Sequence, residues 1–448
     1  MKNFFLFVFT IKNCISCCRG STRATKPNIS YPLIEINSLL PGDIDNIVET
    51  IRINNGKRDD SLCDKSIFDN CGNNALVIKD TAVKLIESRI NGTKSDVKLN
   101  LLEKKAIGCI LGMCIGDSRG APFEFVPVNT ILYNTDNYNN IDKIRPKEYN
   151  AFSQKKGQWT DDTSMGLCIA DSLIVNNGVL VPLDIMKRFL AWWYYGYNNA
   201  FRNDKKRNRK STGLGGNISE SFKYFIANPN LERTPDRKGR NSGNGSIMRN
   251  APIPICYFRN LEEALLAAEK QSLITHCGKE AAECCKLLTY IIWQIFNNPN
   301  KSLRSILDDI KYFKTEVNSV KGLINSKSNV PSEDDKSKRE NWDWKNKNFE
   351  YNKERAANNP GYLGAFAMDN MAMSLHILYH TTSFKQAIEV ATKLCGDADS
   401  VASVVGQIAG AYYSIDNIPS EWIKDIYKWD GGDIVAKGIM LLRLRPVK

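Results

Sequence analysis

Histidine is nearly absent from this chain: three residues in 448. That scarcity argues against the imidazole-rich zinc sites of many hydrolases, which need several nitrogen ligands and a nearby base. His376 and His380 have a ligand-like spacing, but no glutamate follows His376, so a zinc protease is discounted. Long apolar runs are missing too. Beyond the extreme N-terminus none approaches the ~18 residues of a spanning helix, so no membrane span is expected. No sustained period-two pattern with hairpin turns occurs, which leaves a mainly α-helical fold, and no repeat is detected. Cysteine is not scarce, at thirteen. Yet Cys109, Cys114, Cys168, Cys284 and Cys285 sit in apolar helical runs, where a free thiol acts as a small hydrophobe. Cys14, Cys17 and Cys18 cluster without a facing pair at zinc spacing, so the thirteen read as free thiols of a reducing compartment.

What is abundant is positive charge. Lys and Arg exceed Asp and Glu by 61 to 49, for a net charge of +12. Such a balance suits polyanionic partners, but much of the excess lies in polar insertions, as a solvated surface would place it. The run Arg202 to Lys210 is the densest, and a salt-dependent nucleic-acid contact is the competing reading there. At the N-terminus, Lys2 precedes the apolar Phe4 to Ile11, about the length of a signal-peptide core. The cysteine trio behind it is a candidate for lipid attachment. Secretion, however, would make Asn217-Ile218-Ser219 and Asn244-Gly245-Ser246 glycan acceptors, so a cytoplasmic protein is expected.

Two acidic clusters organise the rest. Gly157-Gln158-Trp159-Thr160-Asp161-Asp162-Thr163 opens an apolar helical run, and Cys395-Gly396-Asp397-Ala398-Asp399-Ser400 opens another. Taken alone, Thr and Asp before an apolar run are ordinary helix N-caps. The second cluster argues for more, because Asp397 and Asp399 exceed what one cap uses. Magnesium and manganese take oxygen ligands, and several carboxylates suffice to hold one or two ions. Helix N-termini favour the ionised form of such ligands.

The chain divides near residue 100. Residues 1–100 form an N-terminal extension of no assignable role, loop-like apart from one helix near Ala82 to Ile90. From Leu101 a helical domain runs to residue 448, with Gly108 and Gly112 spaced to let another helix approach closely. Glu124 follows, anchored between Phe123 and Phe125, though a surface carboxylate is its plain reading. Trp192 to Tyr195 form an aromatic helix face, which is core more often than a stacking platform. The glycine-rich Ser211 to Gly216 and Arg240 to Arg249 are candidate anion-binding turns, with Arg249 a source of charge. Lys314 to Asn359 is polar, cannot bury much apolar area, and reads as a partly disordered loop insertion.

GDSRGAPFEF, GQWTDDTS, SGNGSIMRNAPI, THCGKEAA and CGDADSVASVVGQIAGAYY occur in that order. Together they closely resemble the ADP-ribosylglycohydrolase family over about Leu101 to Arg445. The resemblance implies an all-α fold, an orthogonal helical bundle with a central cleft holding two magnesium or manganese ions. It implies Thr160, Asp161 and Asp162 as ligands from the first cluster, with Asp397, Asp399 and Ser400 completing the set. Glu124, with Asp161, Asp162 and Asp399, would be catalytic. Ser242, Gly243, Asn244, Gly245 and Ser246 match a pyrophosphate-wrapping loop, and His276 a residue near the adenosine-side ribose. The implied function is metal-dependent removal of ADP-ribose from a modified protein side chain or related acceptor, by a monomer with no obligate nucleic acid. The competing reading is an ADP-ribose-binding module with little turnover. Two positions depart from the pattern: Cys395 stands where a glycine is usual, and Ser400 where a threonine is.

Overall fold

The computed structural model describes residues 44–128, 150–206, 208–236, 241–333, 339–350 and 353–444. The apolar N-terminal stretch, the Cys14 to Cys18 trio, Arg207, Arg240 and Asp334 to Lys336 lie outside the described residues. Seventeen α-helices follow one another among the described residues. They are α1 (Ile47–Ile53), α2 (Asn73–Ile90), α3 (Leu101–Gly120), α4 (Asp161–Val175), α5 (Pro182–Tyr195) and α6 (Gly216–Ala227). Then come α7 (Pro252–Cys256), α8 (Leu261–Leu273), α9 (Lys279–Asn297), α10 (Leu303–Asp308), α11 (Asn318–Ile324) and α12 (Lys353–Asn358). The last quarter holds α13 (Ala367–His380), α14 (Phe384–Lys393), α15 (Ala398–Tyr413), α16 (Ser420–Asp430) and α17 (Asp433–Arg443). The described residues contain one two-stranded antiparallel ribbon, β1 (Val330–Pro331) with β2 (Arg339–Glu340). The fold is all-α.

Its centre is the pairing of α3 with α15. Gly108, Gly112, Gly116 and Gly120 recur every four residues, so they lie along one helix face. A Cβ at Gly108 would stand 2.2 Å from the Gly410 carbonyl oxygen, at Gly112 2.1 Å from that of Gly406, and at Gly116 2.0 Å from that of Ala402. At Gly120 it would meet the Asp399 Cα at 2.4 Å. Each step forward on α3 is thus a step back on α15. The helices run antiparallel, backbone against backbone, with no side chain between them. The C-terminal end of α3, bearing Asp117, therefore lies against the N-terminal end of α15, bearing Asp399. An Asn100–Glu103 capping box fixes the far end of α3.

The N-terminal segment joins this core. Ile47, Ile78, Ala82, Leu85 and Ile86 are buried in the same apolar cluster as α3 and α15. Helix α2 also meets α16 and α17 through Lys79 with Asp433, and through the Tyr427 hydroxyl, which donates to Glu87 at 3.1 Å. The basic run is tied into the same region. Arg209 donates to Asp60 at 3.1 Å and Asp64 at 2.7 Å, and Arg202 to Asp433 at 2.8 Å. These pairs hold Arg202 and Arg209 to their neighbours, while Lys205 and Lys210 of the same run are exposed.

The polar stretch Lys314 to Asn359, expected as a loop, contains α11, the β ribbon and α12. Trp342 and Trp344 are fully buried, and the Trp344 indole donates to the Leu323 carbonyl at 2.7 Å. Two tryptophans supply the apolar area that the average composition conceals.

Candidate metal centre and substrate cleft

Helix α4 begins at Asp161, but its N-cap, Thr160, makes no side-chain cap bond. The donors are satisfied from another helix. Asp117 on α3, completely buried, accepts from the Thr160 N–H at 3.0 Å, the Thr160 hydroxyl at 2.9 Å and the Thr163 N–H at 2.9 Å. Asp161 and Asp162 are thereby released from capping. The second cluster behaves alike: Asp397, the N-cap of α15, makes no side-chain cap bond. The capping explanation fails at the first mouth and is partial at the second, where Asp399 accepts from the Ser400 N–H at 2.9 Å.

The two mouths meet. The Thr160 hydroxyl lies 3.4 Å from an Asp399 carboxylate oxygen and 3.5 Å from one of Asp162. Carboxylate oxygens of Asp117, Asp162 and Asp399 all lie within 4.8 Å of one another, and so do those of Glu124, Asp397 and Asp399. Asp399 belongs to both trios. Asp161 belongs to neither, and its oxygen packs against Gly213, where a Cβ would intrude at 2.2 Å. The Ser400 hydroxyl faces the Met248 sulfur at 3.7 Å and also helps to hold Asp397 ionised. One oxygen each of Asp162 and Glu124 is buried without a hydrogen-bond partner.

Electrostatics sharpen the picture. Burial, then the charges of Asp399 and Asp397, push the Glu124 carboxyl well above the usual range. Burial first and neighbouring carboxylates second do the same to Asp161, Asp162 and Asp399, and burial raises Asp117 to about 6. Among the described residues no lysine or arginine lines the surrounding cavity of about 560 Å³. Buried carboxylates demand paired cations or a metal. Oxygen-only donors, two trios sharing one residue, and orphaned buried oxygens suit hard divalent ions.

A second wall of the cavity is glycine-rich. Gly213 to Ile218 lead into α6, and Gly243, Asn244 and Gly245 face them. The Asn244 amide donates to Asp397 at 3.0 Å and to the Gly364 carbonyl at 2.9 Å, linking this loop to the acidic centre. The hydroxyls on either side turn inward. Ser246 accepts from the Ser272 hydroxyl at 2.8 Å, and Ser242 packs beneath Gly278 and takes the Ala281 N–H at 3.4 Å. Only the backbone and Asn244 of the Ser242 to Ser246 turn reach the cavity.

His276 lines it too, with its Nε2 against Gly243 and Gly245. Its Nδ1 lies 2.7 Å from the Thr275 hydroxyl, which also accepts from Arg249 at 2.8 Å. Where the Thr275 hydroxyl donates to Nδ1, the ring proton sits on Nε2, the nitrogen nearer Gly243 and Gly245. Arg249 itself, expected as a charge for the ligand, is fully buried behind the loop, and burial lowers it to about 9. It supports the wall from behind.

The turn before α15 carries the first of the two departures noted in the sequence, Cys395. Cys395 and Gly396 both take left-handed backbone, with φ of 60° and 65°. Gly396 accepts from the Phe125 N–H at 2.9 Å and donates to the Val126 carbonyl at 2.8 Å, so the segment after Glu124 is laced to the segment before Asp397. Asp117 was the residue that sequence reasoning passed over. Its signal was a carboxylate ending an apolar helix with no basic residue three or four positions away on that helix.

Fold and centre together define an all-α protein with a buried cluster of carboxylates opening on a glycine-walled cavity. A family model for ADP-ribosylglycohydrolase matches residues 99–445, and the chain belongs to that family. It is 26% identical over 322 residues to an ADP-ribosylarginine hydrolase, Tri1, of Serratia proteamaculans, covering 71% of this chain and 74% of that protein. It is 24% identical over 325 residues to the ADP-ribosyl-[dinitrogen reductase] glycohydrolase of Rhodospirillum rubrum, covering 72% and 90%. The human ADP-ribosylhydrolase ARH3 aligns at 22% identity over 357 residues, covering 74% and 92%. A solved structure titled an ADP-ribosylglycohydrolase-related protein complex shares the fold, with a TM-score of 0.56 at 22% identity over 77% of this chain and 100% of the other. Among the described residues no helix is long and apolar enough to cross a membrane.

Proposed function

We propose that this chain hydrolyses the glycosidic bond between ADP-ribose and a modified protein side chain or related acceptor, and that it needs two divalent cations, Mg2+ or Mn2+, to do so. The observation that carries the reading is the pair of carboxylate trios sharing Asp399 in a cavity that no described lysine or arginine lines. Asp117, Asp162 and Asp399 would hold one ion, and Glu124, Asp397 and Asp399 the other, with Thr160, Asp161 and Ser400 alongside. Ions there would supply Lewis-acid polarisation and offset the carboxylate charge. The chain's own groups do the rest. Gly243 to Gly245 and the Gly213 to Asn217 turn present backbone close enough to surround a pyrophosphate. His276, with its Nε2 proton, donates to a ribose oxygen. Glu124 orients a water against the anomeric carbon and accepts its proton, while neighbouring carboxylates stabilise the oxocarbenium-like charge. Holding water and sugar in register supplies several kcal/mol, roughly 7–11 at best.

A reducing, cytosolic setting is supported by the free thiols and by Asn244. Every described cysteine is unpaired with another, and the amide that a glycan would occupy is bonded to Asp397 and Gly364. The test is release of ADP-ribose from arginine- and serine-modified peptides, with and without a chelator. Cleavage that survives chelation refutes the metal requirement. Binding of ADP-ribose without release from any linkage refutes the hydrolase and leaves a binding module.

A further inference from the structure

The segment 363–367 stands between the two halves of the cavity wall and is bonded to both. On one side its Ala365 carbonyl accepts from the Asn244 N–H at 2.9 Å, and its Ala367 N–H donates to the Ser242 carbonyl at 2.9 Å. Phe366 and Gly243 pair between these two bonds as an antiparallel bridge. On the other side the Leu363 carbonyl accepts from the Asp397 N–H at 2.8 Å. One strip of main chain thus spaces the glycine turn from the acidic centre.

The strip runs into α13, whose N-cap, Phe366, makes no side-chain cap bond. What secures this end comes from the polar insertion. Arg355 on α12 pairs with Asp369 in the first turn of α13 at 2.5 Å and donates to Glu340 on β2 at 2.8 Å. Its guanidinium also lies 4.8 Å from the centre of the Phe366 ring. Both carboxylates are buried, and a buried carboxylate is costly without such a partner. A planar guanidinium serves two carboxylates and a ring at once, which a compact ammonium does not. The short β ribbon carries Glu340 to that point.

We propose that Arg355 is a positioning residue for the nucleotide. By clamping Asp369 and Phe366 it fixes the 363–367 strip, and with it the spacing of the Gly243 to Gly245 turn from Asp397. The polar insertion thereby completes the ADP-ribose cleft, although Arg355 does not line the cavity. The inference rests on the ADP-ribose reading of that cleft. Asp117, Asp162 and Asp399 stand on α3, α4 and α15, none of which carries a clamp residue, so Mn2+ affinity is the internal control.

Arg355→Met should weaken ADP-ribose binding to the Mn2+-loaded protein about tenfold by calorimetric titration, with Mn2+ affinity held within about twofold. Arg355→Lys keeps the charge but reaches one carboxylate at a time. It should lose about two- to threefold in the same titration, and it stands in if Arg355→Met does not fold. Amide hydrogen exchange reads the clamp without any ligand. The Asn244 and Ala367 amides should lose protection in both variants while those of α3 do not change. Equal loss in α3 would mean general destabilisation, and unchanged protection would mean that the strip holds itself. Either overturns the proposal, as does unaltered ADP-ribose affinity. Lost protection at Asn244 and Ala367 in a protein whose unmutated form binds no ADP-ribose supports the clamp and refutes the nucleotide reading alone.

Discussion

Asp117 shows how a single buried carboxylate links two helices to one centre. It takes the Thr160 and Thr163 donors and contributes an oxygen to the trio with Asp162 and Asp399. Asp117→Asn keeps the shape but loses the charge and turns two of its own donors toward those N–H groups. We expect Mn2+ affinity to fall about 10–100-fold, read by calorimetric titration, with ADP-ribose release lost in parallel. Unchanged Mn2+ binding would remove Asp117 from the centre. A second expectation concerns pH. Asp117, Asp161, Asp162, Asp397, Asp399 and Glu124 all have raised carboxyl values in the metal-free fold. The folded state therefore binds more protons than the unfolded chain, whose carboxyls titrate near about 4. Stability of the metal-free protein consequently falls as pH climbs from about 4 through neutrality. Added Mn2+ needs ionised ligands, so its stabilisation grows in the same direction. Calorimetry should show the chelated protein melting lower at about pH 7.5 than at about pH 5.5, and Mn2+ closing the gap. A chelated protein that melts higher at the upper pH contradicts the crowding of these carboxylates. Much of this site was legible in the residues, because both acidic clusters stand at the starts of apolar runs. Asp117 was hidden by its context, an apolar helix in which one aspartate reads as a terminus. The Ser242 and Ser246 hydroxyls look like ligand contacts in sequence. Their inward rotamers come from Ser272 and α9, which lie far along the chain.

At the scale of elements, the α3–α15 pair sets the acidic centre, and glycine is what permits it. Gly116 is one residue from Asp117, and a methyl there would lie 2.0 Å from the Ala402 oxygen and 2.4 Å from its carbonyl carbon. Neither neighbour is a flexible side chain, so the helices themselves must part. Gly116→Ala should cost about 3 kcal/mol or more in denaturant unfolding, against the usual small gain from alanine in a helix. The matched control is Gly216→Ala at the start of α6, where a Cβ meets nothing within 4 Å, and its stability should be unchanged or slightly raised. Because separation also draws Asp117 from Asp399, Gly116→Ala should lose Mn2+ binding beyond its loss of stability. Equal stability of the two variants would contradict the backbone contact. The close approach of α3 was readable from Gly108 and Gly112. The identity of its partner was not, since Ala398, Ala402, Gly406 and Gly410 form an equally plain small-residue face almost three hundred positions away. The Lys314 to Asn359 segment misled for a different reason. Averaged over its lysines and asparagines it looks unable to fold, but Trp344 docks on α11 and α13, and Trp342 is buried as well.

At the scale of the molecule, the family match begins at residue 99, whereas the apolar core of the described residues already includes Ile44. Helix α2 explains the difference. Its residues Ile78, Leu85 and Ile86 are buried, and Ile86 and Val83 pack over Gly432 at the turn between α16 and α17. Burying three such side chains is worth about 5–9 kcal/mol, at 1.5–3 each. That is comparable to the whole stability of a typical domain, about 5–15 kcal/mol. A chain beginning at Leu99 would retain every proposed ligand and still expose this face of α16 and α17 to water. We expect it to lose cooperative thermal unfolding, or to melt far below the full chain by circular dichroism, and to aggregate. Leu85→Ala in the full chain offers a graded version, with a loss of about 2–5 kcal/mol in denaturant unfolding and ADP-ribose affinity retained. A chain from Leu99 that melts like the intact protein would show that α2 rests on a core already complete without it. Should it instead fail to fold while Leu85→Ala still binds, the N-terminal helices act as a structural wall of the catalytic domain, and the metal centre depends on them only through the stability they add.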